Sequence, residues 1–198
     1  MTRVVSLCVL SLCAVFALGG CWSRSDAPSE PVGETTAEVV PATTSGEVVP
    51  LDLSFTDPEL KDTFTIAGFV PIFDVSAASK QKFSADLDGG TVALVNVQAT
   101  TGGEYYSPIQ ESRFQLVCNG KALTPQTSSF TSDMTAAGFV PLPDEGIQAG
   151  ESGDYWIAFM ASGNPNPTDC SLTYTRNPAV DAETDDNIPV FITTVQLN

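Results

Sequence analysis

Residues able to do chemistry are few in this chain, and they are scattered. No histidine occurs among its 198 residues, which excludes the usual proton shuttle and every histidine-based triad or zinc site. Neither Gly-x-Ser-x-Gly nor a phosphate-cradling glycine loop is present. Ser79-Lys80-Gln81-Lys82 fits Ser-x-x-Lys, the spacing in which a lysine assists a nucleophilic serine. That chemistry also needs Ser-Asp-Asn and Lys-Thr-Gly elements, and here Ser132-Asp133 leads to Met134. The match reads as chance. The expectation is a protein that is not an enzyme and holds no cofactor.

Calcium is the one metal to weigh. Ser84-x-Asp86-x-Asp88-Gly89 imitates the start of an EF-hand loop, but its twelfth position is Val95, where a bidentate glutamate is required. Asp181, Glu183 and Asp185, with Asp186 and Asn187 beside them, form a hard-oxygen cluster in a loop before the last strand. A solvated acidic loop is the default reading and a weak extracellular Ca²⁺ site the alternative.

The cysteines divide by position. Cys118 shares a strand face with Phe114 and Leu116, and Cys170 shares one with Leu172 and Tyr174, because residues two apart point the same way. Both sulfurs therefore aim into a core, and in an oxidising compartment they would form a bridge. Closing a loop of about 50 residues stabilises by about 4 kcal/mol on the chain-entropy account. Two buried free thiols are the alternative.

Cys8, Cys13 and Cys21 belong to the first part of the chain. Arg3 precedes an uncharged apolar run from Val4 to Leu18, the n-region and h-region of a secretory signal. The run is shorter than the roughly 20 residues of a membrane-spanning helix. It ends in Leu18-Gly19-Gly20-Cys21, which resembles the lipobox of bacterial lipoproteins. The resemblance implies a signal peptide over 1–20, cleavage before Cys21, and a lipid on that cysteine. The protein would then be anchored to a cell membrane on its extracytoplasmic face. An ordinary secretory peptide with a chance cysteine is the alternative.

Charge limits the partners. The chain carries 24 acidic against 8 basic residues, a net −16 with a pI near 4.1. Such a surface repels nucleic acid and anionic headgroups, so no nucleic-acid partner is expected. Residues 21–50 follow the anchor as a Ser/Thr/Pro/Glu-rich tether, too polar to bury a core. A coil of that length has a reach of about 30 Å.

From 51 to 198 the texture changes to short runs separated by Gly, Pro, Asn and Asp. Strands are expected at Leu51–Phe55, Thr63–Ile66, Thr91–Ala99, Arg113–Cys118, Asp154–Ala161, Asp169–Thr175 and Ile188–Leu197. Asp88-Gly89-Gly90, Asn119-Gly120 and the Gly163–Pro167 stretch are placed as hairpins need them. Asp57–Asp62 suits one short turn or helix, and no window has a sustained helical period. The expected fold is an all-β, antiparallel β-sandwich. The succession from Val92–Val97 through Ser107–Val117, Asn119-Gly120-Lys121, Gly150-Glu151 and Asp154–Phe159 to Ser171–Tyr174 looks like the telokin-like, immunoglobulin-fold family of bacterial extracellular proteins and lipoproteins. This resemblance implies an immunoglobulin-like domain of unassigned function. Thr100–Tyr106 and the turn-rich Ala122–Gly150 depart from the pattern.

Thr65–Asp74 recurs as Thr135–Asp144, with seven of ten positions identical. The repeat predicts two equivalent strand ends against the core; a shared ligand groove is the alternative. For contact with a partner, the strongest stretch is Thr100–Ser107. Its Tyr105 and Tyr106 are flanked by Gly and Ser, the composition of adaptable recognition loops. Together these readings predict a lipid-anchored, non-enzymatic binding or assembly module of the bacterial cell envelope. It would meet the membrane through Cys21 and an envelope protein or wall polymer through its loops. A small-ligand- or Ca²⁺-binding receptor or sensor lipoprotein is the alternative.

Overall fold

A computed structural model describes residues 46–87, 90–103, 105–181 and 184–198. The signal peptide, Cys21, the tether as far as residue 45, Asp88-Gly89, Glu104 and Glu183 lie outside the described residues. Four strands, β1 (Val49–Thr56), β2 (Thr63–Phe73), β3 (Gly90–Thr100) and β6 (Ser152–Ser162), form one antiparallel sheet in the order β1-β2-β3-β6. The other is β10-β7-β4-β5, from β10 (Phe191–Gln196), β7 (Cys170–Arg176), β4 (Phe114–Cys118) and β5 (Lys121–Leu123). A two-stranded ribbon, β8 (Ala179–Val180) with β9 (Asn187–Ile188), precedes β10. The protein is all-β, as the alternation of apolar residues predicts.

The two large sheets face each other. Their inner faces supply one cluster in which Phe64, Ile66, Val95, Val97, Ile157 and Phe159 meet Phe114, Leu116, Leu172 and Tyr174. Aromatic rings lock the contact: Phe64 lies 4.6 Å from Tyr174 and 6.3 Å from Phe114, centroid to centroid. Each such ring contributes about 1.5–3 kcal/mol by leaving water.

From Val92 to Val95 strand β3 is apolar on both faces because both are covered there, as expected of a central strand. Ala93, Val95, Val97 and Ala99 face the other sheet. Val92 and Leu94 face a second cluster under helix α2 (Thr127–Ala136), with Phe130 and Met134. This helix, and the shorter α1 (Ala77–Lys82), were not expected from the sequence. Ten residues rich in Ser and Thr have low helix propensity. The helix exists because Phe130 and Met134, one turn apart, bury against β3 and β6. Its first N–H, on Thr127, donates to the Glu111 carboxylate at 3.1 Å, while Thr127 Oγ1 accepts from Ala158 N–H at 3.1 Å.

The turn signals divide in their outcome. Asn119 and Gly120 both have positive φ, 52° and 73°, and close the β4–β5 hairpin as the Asn-Gly pair predicts. The Gly163–Pro167 stretch carries the chain from β6 in one sheet to β7 in the other, and Gly90 begins β3 after α1, so neither closes a hairpin. Local turn chemistry is indifferent to which sheet the next strand joins.

The repeated segments are not equivalent. Thr65–Phe73 runs inside β2, where Gly68 sits mid-strand because a Cβ would press on Val48 and Trp156. Thr135 and Ala136 instead end α2, and Val140 to Leu142 run along β6. Here tertiary placement overrides identical local sequence. The two copies do converge on one residue: Trp156 lies over Gly68 and packs edge-on to Phe139 at 4.8 Å.

Candidate functional site

Thr56, Thr63, Thr100 and Ser152 lie side by side at one end of the β1-β2-β3-β6 sheet. From this end the chain leaves β3 and enters the stretch that contains Tyr105 and Tyr106. Three attachments hold it. Thr101 is buried; its N–H donates to Glu151 O at 3.0 Å and its hydroxyl to Gln148 O at 2.8 Å. Gly102 N–H donates to Asp62 Oδ1 at 2.9 Å, and any Cβ at this glycine would strike the carbonyl of Leu60. Ser107 accepts from the Arg113 guanidinium at 3.0 Å.

The tyrosines separate. Tyr105 is half-buried and engaged with the rest of the protein. Tyr106 is 85% exposed, more than any other large hydrophobic side chain among the described residues. For an exposed aromatic on an anchored loop, the ordering cost of any contact has already been met by the fold.

Beneath the loop is a buried polar cluster that the sequence reading missed. Asp57, at the end of β1, pairs with Arg176 at the end of β7, and both are sequestered from water. Asp57 Oδ1 also accepts from Glu59 N–H at 3.1 Å and Leu60 N–H at 3.3 Å, which shapes the turn expected at Asp57–Asp62. Asp62 is buried, and its Oδ2 has no hydrogen-bond partner. Burial pushes the Asp62 pKa up and the Asp57 charge adds to this, against the Gly102 hydrogen bond and the two arginines. Tyr174 is raised as well, chiefly by burial, although Arg113 donates to its hydroxyl at 3.2 Å. Asp57, Asp62, Arg113 and Arg176 each stand at a strand end, where an apolar run breaks off; that was the only available signal.

An open cleft of about 480 Å³ lies on the outer face of the same sheet, against the loop. Thr63, Thr65, Gln98, Thr100, Ser152 and Asp154 line it. Asp154 is the one charge among them, and both its oxygens are occupied, by Asn96 at 2.7 Å and Gln98 at 3.1 Å. Hydroxyls and amides predominate among the polar groups, with the Asp154 carboxylate at one side, a lining suited to a polar ligand or a polar protein surface.

Other sequence candidates fall elsewhere. Cys118 and Cys170 form the disulfide, 52 residues apart and directly opposed in adjacent strands of one sheet. Asp181 and Asp185 sit in the turn between β8 and β9, where Asp181 Oδ1 accepts from Thr184 N–H at 3.2 Å. Among the described residues, no three acidic or cysteine side chains converge as a metal site would require. Ser79 donates to Asp133 at 2.5 Å, and Lys82 extends over the Phe83 ring, so the two do not form a nucleophile and its base. The hydrogen bonds from Ser79 and Ser76 outweigh partial burial and hold the Asp133 carboxyl below its ordinary value. Among the described residues, no helix is long and apolar enough to cross a membrane.

Compared with known proteins, the chain matches no family model and no curated sequence. The solved structures similar to it include the following two. One is a functionally unknown protein from Listeria monocytogenes, 15% identical with a TM-score of 0.48, the match covering 78% of this chain and 87% of that one. The other is a Bacillus subtilis protein provisionally described as a lipoprotein (ycdA), 15% identical with a TM-score of 0.47. That match covers 75% of this chain and 39% of the other, so the chain spans about two fifths of that protein. The functional reading rests on this chain's own residues.

Proposed function

We propose that this chain is a non-enzymatic, lipid-anchored binding or assembly module on the extracytoplasmic face of a bacterial cell envelope. It meets an envelope protein or a wall polymer through the end of the sandwich that carries Tyr106. The observation that carries the reading is Tyr106 itself, almost fully exposed on a loop held at three points beside an open, hydroxyl-rich cleft. Leu18-Gly19-Gly20-Cys21 supports the anchor, and the acidic tether supports a domain held away from the bilayer. The strand order supports an immunoglobulin-like descent. Immunoglobulin domains set strands A-B-E-D against C-F-G, and β2-β3-β6 against β4-β7-β10 keeps that order, with the flanks of α2 along β6 where strand D would run.

Two experiments test it. Cys21→Ala should release the protein from the membrane fraction or block its processing; normal retention of a correctly cleaved variant would remove the lipid anchor. A photoreactive residue at position 106 in intact cells should capture one discrete partner, and the same residue at exposed Asn164, at the other end of the sandwich, should not. Equal capture at both positions, or none at 106, would overturn the binding site.

A further inference from the structure

Each four-stranded sheet has two edge strands. An edge presents a row of N–H and C=O groups that pair with any extended chain unless something blocks them. Three of the four edges here are blocked. Along β6, Gln126 N–H donates to Ala158 O, Trp156 N–H to Val140 O, and Leu142 N–H to Trp156 O, at 2.7, 2.8 and 3.0 Å. Strand β1 carries Pro50, which has no N–H, a register shift between Pro50 and Leu53, and the exposed Asp52. Strand β5 is three residues long, begins with Lys121 and runs on to Pro125.

Strand β10 has none of these devices. Phe191-Ile-Thr-Thr-Val-Gln196 contains no charge, proline or glycine, and it pairs with β7 in unbroken register. Leu197 N–H donates to Cys170 O at 2.9 Å, which sets the phase of the ladder. Phe191, Thr193 and Val195 therefore bond to β7, while Ile192, Thr194 and Gln196 turn their N–H and C=O groups outward. Among the described residues, no strand lies on that side. The side chains beside the edge are Thr175, Thr173 and Ser171 on β7, all uncharged. Ile192 is 60% exposed and Val190, just before the strand, 51%.

We propose that β10 pairs with β10 of a second copy of this chain, antiparallel across a two-fold axis at Thr194. The β5-β4-β7-β10 sheets of the two copies then join into one continuous eight-stranded sheet. Charge selects this occupant. With a net charge of −16, two copies repel over most of their surface, and an uncharged strip is where they can touch. The strip is also self-complementary: Thr194 meets Thr194, Ile192 meets Gln196 of the second copy, and no like charges oppose. A basic partner would find no carboxylate there to recognise.

The test uses the full chain in its own envelope. Thr194→Cys places a thiol beside its own symmetry mate and should produce a reducible dimer on a non-reducing gel. Thr173→Cys, on the same face one strand inward, should not, and adding Ile192→Lys to Thr194→Cys should abolish the dimer. Equal dimer from both cysteine variants, a Thr194→Cys adduct to a different protein, or a dimer indifferent to Ile192→Lys would overturn the proposal. A second arm needs no added thiol. Sedimentation equilibrium of the detergent-solubilised wild type should give a dimer, and Thr194→Pro, which removes an outward N–H and the hydroxyl contact with Thr173 but no backbone bond of the β7 ladder, should give a monomer. A monomeric wild type would overturn it as well.

Discussion

Asp57 and Arg176, 119 residues apart, form a buried ion pair that ties the end of β1 to the end of β7. Asp57 accepts from two backbone N–H groups of its own turn, and Arg176 donates to Pro189 O at 2.8 Å in the approach to β10. One pair thus joins both sheets and the ribbon after β7. Asp57→Ala, by stranding the guanidinium, should cost about 3–5 kcal/mol in urea denaturation. Replacing both residues with apolar side chains of similar volume should cost much less.

The disulfide is the second brace. Its cysteines stand 52 positions apart, so its loss by paired Cys→Ala substitution should lower stability by about 4 kcal/mol on the chain-entropy account. Thermal melts with and without reductant would show it, and free alkylation of both thiols in the folded protein would refute the bridge.

Asp62 should make stability fall as pH rises. Its folded pKa lies above the ordinary 3.8, so the folded chain holds a proton that the unfolded chain has released. The cost of ionisation is nil below the unfolded value and grows as pH climbs from there through the folded pKa. Asp62→Asn keeps the acceptor for Gly102 and removes the charge. Its stability relative to wild type should rise as pH climbs above the ordinary 3.8, and urea midpoints that stay parallel as pH rises would contradict this.

Tyr106→Ala should leave the melting temperature nearly unchanged, because the ring has little packing to lose. Once the partner is in hand, the same change should cost about 2 kcal/mol or more of binding. Tyr105→Ala, at a half-buried position, should destabilise more than Tyr106→Ala. A large drop in melting temperature for Tyr106→Ala would remove the recognition surface.

Much of this was legible from residue types and spacing. Alternation of apolar residues marked the strands, because a half-buried sheet imposes a period of two on its sequence. Thr91–Ala99, dense in β-branched residues, was readable as central and became β3, covered on both faces from Val92 to Val97. Cys118 and Cys170 declared their shared core by the same rule. The lipobox resemblance is carried by four consecutive residues that lie outside the described structure.

Only the tertiary structure decided the rest. Helix α2 depends on Phe130 and Met134 finding β3 and β6, and its first turn on Glu111, 16 residues away. The repeated segments took different conformations because one pairs with β1 and β3 while the other ends a helix. Asp57, Asp62, Arg113 and Arg176 look like ordinary surface charges in sequence; strand ends from both sheets bring them together. Whether an edge is open is likewise invisible locally, since it depends on which segments the fold lays beside it. Periodicity and propensity act over a few residues, whereas a buried charge or an unguarded edge is defined by neighbours far away in the chain.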